Sequence, residues 1–162
     1  MTTKLEVLDA IRQGTADVLR TFGSLSDDQL CIRVHQSDGG WTAKEVLAHL
    51  AAGGEGHARL LQRAVEGGAA FGDPGDMDER NRRLVNEQLG KSRDVLLAGF
   101  HAAQDTLCRK VQELSDDALA RPLTLPRGGE RPLADVLIMI AGRHPSGHAQ
   151  EVDRALAVPA AK

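Results

Sequence analysis

Gly40-Trp41-Thr42-Ala43-Lys44-Glu45-Val46-Leu47-Ala48-His49-Leu50 is the stretch on which the fold turns. It follows a breaker cluster, Ser37-Asp38-Gly39-Gly40, which ends whatever precedes it. Thr42 and Glu45 then form a capping box: the Thr hydroxyl and the Glu carboxylate satisfy each other's exposed backbone amides at a helix start. Apolar positions at Val46, Leu50, Leu60, Leu61, Ala64 and Val65 carry that helix to about Glu66. Trp41 stands just ahead of the cap, as a large apolar plug for the beginning of the helix. His49 lies two turns inside it.

Working outward, the periodicity is helical nearly throughout. Leu8, Ile11, Thr15, Val18 and Phe22 step by three and four, so a first helix runs from about Lys4 to Phe22. Gly67 to Gly75 reads as a loop, and Asp76 to Glu79 opens a helix that reaches about Leu89. Ser92 caps another long stretch, striped by Leu96, Phe100, Ala103, Leu107, Val111 and Leu114. Pro122 to Pro132 reads as a loop, with no strand alternation. A last helix starts near Leu133, and Leu137, Ile140, His144, His148, Glu151 and Ala155 continue one stripe. Pro159 to Lys162 reads as a frayed end. A short echo links Leu25-Ser26-Asp27-Asp28-Gln29-Leu30 to Leu114-Ser115-Asp116-Asp117-Ala118-Leu119, each followed by a loop and a long helix. The expectation is one all-α domain, 1–162, built as a four-helix bundle.

Composition narrows the function classes. Aromatic residues are only 2% of the 162, with no tyrosine, which argues against an aromatic-girdled barrel and a base-stacking surface. The net charge is −3 with both signs interspersed, so no nucleic-acid partner is expected. The most apolar run, Val136 to Ala141, is too short for a bilayer, so no membrane partner is expected. Cys31 and Cys108 lie far apart without metal or redox spacing. With no signal-like start, a reduced, cytoplasmic setting is the expectation.

The histidines carry the chemistry. His144 and His148 are four apart, hence on one helix face, and continue the apolar line of Leu133, Leu137 and Ile140. His49 shares its own helix face with Ala52, Gly53 and Gly56. Three imidazoles pointed into a bundle core suit a divalent ion with open positions for water or substrate. Spacing alone also allows a chance pair of hydrogen-bonded core histidines, and Pro145 and Gly147 disfavour a regular helix around them. The small residues beside His49 fit either a ligand pocket or close helix packing. Glu151, one turn past His148, is placed to orient it or to act as a general base, or else is simply a polar residue at the bundle end. Arg143 and Arg154 are candidates for the carboxylate of an anionic ligand, or are solvated cations. His57 reads as a pocket-mouth or surface residue, His35 as a loop residue, His101 as lying beside its helix's stripe, and Cys108 as a small apolar packing residue.

The Gly40–Leu50 stretch resembles the W-T-x-x-E-V-L-x-H-L signature of the DinB/YfiT-like superfamily, whose relatives include the mycothiol-dependent maleylpyruvate isomerases. His144-x-x-x-His148 is similar to the same family's second motif, and Asn81 matches a position common in it. The order and separation of helices agree over nearly the whole chain. The resemblance implies an up-down-down-up four-helix bundle, often a homodimer, with a divalent metal held by His49, His144 and His148. The isomerase branch carries Glu where this chain has His144, so the chain is more similar to a three-His branch. Many relatives have Gln at the position of Glu151.

What the resemblance implies about function is a metal-dependent enzyme, with zinc or nickel activating a low-molecular-weight thiol for S-transfer to, or isomerisation of, a small electrophilic substrate. Two alternatives stay open: a metal-dependent hydrolase using activated water, and a non-enzymatic bundle that binds a small molecule or partner, with any metal structural.

Overall fold

Hydroxyl side chains set where the helices begin. In the computed structural model, which describes residues 2–34, 40–67, 71, 77–126 and 129–157, Thr3, Ser26, Thr42, Ser92 and Ser115 each accept a backbone amide from the first turn that follows. At Thr3, Ser26 and Thr42 the third helical residue reciprocates, completing capping boxes with Glu6, Gln29 and Glu45. The helices so defined are α1 (Lys4–Gly23), α2 (Asp27–Leu30), α3 (Ala43–Val65), α4 (Met77–Gln88), α5 (Arg93–Glu113) and α6 (Asp116–Ala120). The short α2 and α6 are the two halves of the sequence echo, and each drops a leucine into the core, Leu30 and Leu119.

Pro122 to Pro132, expected as a loop, holds a small antiparallel hairpin instead, β1 (Pro122–Thr124) and β2 (Glu130–Pro132), paired Leu123 to Arg131. Two strands of three residues are too short to show alternation, and prolines are tolerated at strand ends. Leu123 alone is buried and fixes the hairpin to the core.

The last long helix is composite: α7 (Leu133–Leu137), a π-helical segment (Ile138–Arg143) and α8 (His144–Ala157). The buried line along it is Leu133, Leu137, Ala141, Pro145, then His148, Ala149 and Val152. Four-residue steps overshoot an α-helical turn by about 40° each, and the wider π turn takes up the excess. The expected stripe through Ile140, His144, Glu151 and Ala155 is therefore corrected. After the π turn the buried face moves by one residue, and His144 stands at the edge of the core rather than inside it. Pro145 does not break the helix: it falls where the π segment passes into α8, and the carbonyl of Ala141 accepts from the Gln104 side chain instead.

Pair contacts fix the directions. Along α1, Thr2 meets Asp135, Asp17 meets Ser146 and Thr21 meets Asp153, so α1 and the composite helix run parallel. Lys4 reaches Gln112, and Leu25, just past α1, accepts from Arg93, so α5 is antiparallel to α1. Gly54 sits against Ala103 and Phe100, while Val65 accepts from Arg121, so α3 runs with α5. The result is an up-down-down-up four-helix bundle with α1 and α3 on a diagonal. Its core has two lobes, one around Phe22, Leu47 and Phe100, the other around Ile11, Leu61, Leu107 and Leu137.

At one place two backbones touch. A Cβ on Gly14 would lie 2.5 Å from the carbonyl oxygen of Gly142, and one on Gly142 would lie 2.9 Å from that of Ala10. Only two glycines let α1 and the π segment approach so closely. The loops expected at Ser37–Gly39 and over most of Gly67–Gly75, and the frayed end at Pro159–Lys162, lie outside the described residues. No helix among those described is long and apolar enough to cross a membrane.

Gly14→Ala is expected to destabilise the fold by about 1–3 kcal/mol, the usual cost of overpacking. Gly23→Ala, where a Cβ meets nothing within 4 Å, should leave the chain as stable or slightly more so. Thermal melts of the two variants check this pair.

Candidate metal centre

His49 comes from the middle of α3, two turns beyond the Thr42 cap, and His144 and His148 from the first turns of α8. The cap fixes the start of α3, and a short bridge ties it to the preceding chain. Ala43 N–H donates to the Ile32 carbonyl (2.9 Å), and Val34 N–H to that of Trp41 (2.8 Å). Trp41 is thereby held over the helix start with its ring centroid 5.0 Å from that of His49. It packs on the first core lobe as expected of an apolar plug, and it also flanks His49.

The three imidazoles converge. His49 Nε2 and His144 Nε2 are 3.0 Å apart. One ring nitrogen from each of His49, His144 and His148 lies within 4.8 Å of the others. Two nitrogens bound at about 2.0–2.1 Å to a tetrahedral ion would be about 3.3 Å apart, so the donor set fits with small adjustments. His148 is buried, His49 half-buried and His144 exposed, which leaves one side of the cluster open. Its placement at a rim corrects the expectation of three rings inside the core.

The Nδ1 of His148 is held too. His148 Nδ1 donates to Glu151 Oε2 at 2.9 Å, which leaves the lone pair on Nε2. Glu151 thus meets the face of His148 turned away from that nitrogen, within hydrogen-bond reach. Asp17 of α1, buried, accepts from Ser146 Oγ (2.7 Å), Gln13 Nε2 (3.0 Å) and Arg20 Nη1 (3.0 Å). Ser146 lies between the two histidines of α8, so this carboxylate clamps the histidine-bearing turn to α1. Sequence reading missed Asp17; the available signal was an acid adjoining the apolar line of α1 at Val18.

The electrostatics favour a neutral ring at His144 and at His57. Withdrawal from water, then repulsion from His148, His49 and His57, pushes His144 down to about 3, although part of the residue reaches solvent. Burial lowers His57 to about 4. Its ring folds back one turn along α3, so that a Cβ on Gly53 would be 4.0 Å from its Nε2, and its Nδ1 is buried without a hydrogen-bond partner. His57 thus belongs to the surroundings of the triad. Gly56 has open space beside it, Gly53 meets only the His57 ring, and the glycine of α3 that serves close packing is Gly54, whose Cβ would lie 3.1 Å from that of Ala103.

Arg143 and Arg154 are exposed. His101 is exposed and pairs with Asp105 at 3.7 Å. Cys108 is half-buried against the second core lobe, and burial raises its thiol pKa, as suits a packing residue. His35 lies outside the described residues.

Known proteins share this arrangement of helices. The mycothiol-dependent maleylpyruvate isomerase superposes with a TM-score of 0.68 at 20% identity, covering 97% of this chain but only 61% of the isomerase. The chain thus spans about three fifths of that protein. YfiT from Bacillus subtilis, described as "a probable metal-dependent hydrolase with an unusual four-helix bundle topology", gives 0.75 at 19% identity, covering 94% of this chain and 87% of YfiT. The colibactin self-resistance protein ClbS, crystallised in complex with a dsDNA, gives 0.77 at 13% identity and covers 99% of each. That complex corrects the expectation that nucleic acid is excluded as a partner: a net charge averages over the whole surface, whereas DNA contacts depend on local placement of Arg and Lys. No curated protein sequence matches the chain. The family model described as the DinB superfamily matches residues 10–152, nearly the whole bundle and all three histidines, and to that superfamily the chain belongs.

Proposed function

We propose that His49, His144 and His148 hold a divalent ion, zinc or nickel, and that the protein uses it to activate a low-molecular-weight thiol toward a small electrophile, by S-transfer or thiol-assisted isomerisation. The observation that carries this reading is the convergence of three imidazole nitrogens within 4.8 Å on an open rim. An ion held by three neutral ligands keeps its full charge and lowers the pKa of a thiol or water that reaches it.

The chain's own residues supply the rest. Glu151 engages His148 Nδ1 and so leaves the lone pair on Nε2 for an ion. Trp41 backs His49 and limits its rotation. Gly56 leaves space on α3 for a ligand, and neutral His57, folded over Gly53, borders it. Arg143, next to His144, and Arg154, one turn past Glu151, are the cations we assign to a carboxylate on the thiol or substrate. A second reading, a hydrolase using water as nucleophile, draws on the likeness to YfiT and uses the same three ligands.

Elemental analysis of the purified protein is expected to find about one zinc or nickel per chain, with His49→Ala and His148→Ala both losing it. Full metal retention in either variant would refute the site. On a panel of electrophiles, turnover should require added thiol; turnover without it selects the hydrolase.

Acid should weaken the metal-free protein in a defined window. His57 and His144 titrate near 4 and 3 when folded, against 6.5 as the ordinary value. The unfolded chain therefore takes up protons first, and stability present above pH 6.5 is lost as pH falls toward 4. Melting temperatures measured across that range should drop for the parent and drop less steeply for His57→Leu. Parallel curves for the two would contradict the assignment.

A further inference from the structure

We propose that Gln104, on α5, is a positioning residue for His144: its side-chain amide replaces the backbone donor that Pro145 lacks, and so holds the π turn that brings His144 to His49. The inference rests on reading the triad as a metal site. Its structural half stands without metal.

Proline has no N–H, so where α8 resumes the four-residue step the carbonyl of Ala141 receives no donor from position 145. Ala141 is fully buried, away from water that could compensate. Gln104 Nε2 donates to that oxygen at 3.0 Å from across the bundle. On the buried face of α5, Gln104 stands among Leu96, Leu97, Phe100, Leu107 and Val111, the one polar side chain there. It is 1% exposed, and its Oε1 is buried without a hydrogen-bond partner. An apolar residue would fill the position without that cost, so the donation to Ala141 is what the amide supplies.

The bond acts at a sensitive point. His144 N–H donates five residues back, to Met139, so His144 closes the π turn and opens α8. If the π turn tightened to α-helix, everything after it would rotate by about one residue, near 100°. His144 would then leave the position 3.0 Å from His49. The same carbonyl lies at the contact between α1 and the π segment, 3.2 Å from a Cβ placed on Gly14, so its direction is constrained from two sides.

The test is a double-mutant cycle on the full chain, with Co(II) as the probe, reading affinity by chelator competition and coordination by the visible spectrum. Gln104→Leu is expected to weaken Co(II) binding by roughly tenfold or more, as loss of a supporting contact to a ligand typically does, and to change the spectrum. Pro145→Ala restores a backbone amide, so Gln104→Leu in that background should cost less than about threefold. Hydrogen exchange of the amides at 142–144, followed in metal-free protein, should show the π register lost in Gln104→Leu and regained in the double variant. Should Gln104→Leu not fold, wild-type Gln104 side-chain amide protons protected from exchange support the bond, and protons exchanging freely overturn it. Unchanged affinity, spectrum and exchange in folded Gln104→Leu overturn the proposal, as does equal loss with and without Pro145. A wild type that binds no Co(II) defeats the metal reading alone, and the exchange data then decide the role of Gln104.

Discussion

The backbone contact between α1 and the π segment is the constraint on which the rest of the molecule depends. Gly14 and Gly142 remove the side chains that would separate the two, and the carbonyl of Gly142 occupies the space where a Cβ of α1 would otherwise project. Close-packed interiors transmit such a contact faithfully, because no void exists to absorb a shift. From this point α8 departs at a fixed height and azimuth along α1. Asp17 and Ser146 lock the next turn, and Thr21 with Asp153 locks the one after. By the time α8 passes α3, there is little freedom left in where its histidines point.

The site that results is an edge site. His148 is held by the core and by Glu151, His49 by α3 and Trp41, while His144 leans in from the rim. Partial burial disfavours a charged imidazole at His144, and the neighbouring rings disfavour it further. His144 therefore offers a neutral donor nitrogen at neutral pH, the state that metal coordination needs.

Much of this was legible in the sequence, for identifiable reasons. Helix starts were, because Thr42 with Glu45 and Ser92 are local signals whose hydrogen bonds form within four residues. The pairing of His144 with His148 was, since a four-residue spacing inside one helix needs no tertiary information. The π turn was not: it arises from a mismatch between four-residue apolar steps and the α-helical period, relieved only when α1 presses on Gly142. Its omission displaced the expected stripe by one residue and buried His144 too deeply. Asp17 and Gln104 were missed for a related reason. Each is a polar residue beside or on an apolar line, and each has a decisive partner on another helix, more than thirty positions away. Exclusion of nucleic acid from net charge failed because a sum over the chain has no spatial content.

The lone tryptophan has a consequence beyond packing. Its indole sits 5.0 Å from the imidazole of His49, and the chain contains no tyrosine. Nearly all ultraviolet emission of this protein therefore originates beside one member of the triad. A protonation or ligation event at His49 changes the field and the quenching at that indole, so intrinsic fluorescence becomes a label-free record of what occupies the site.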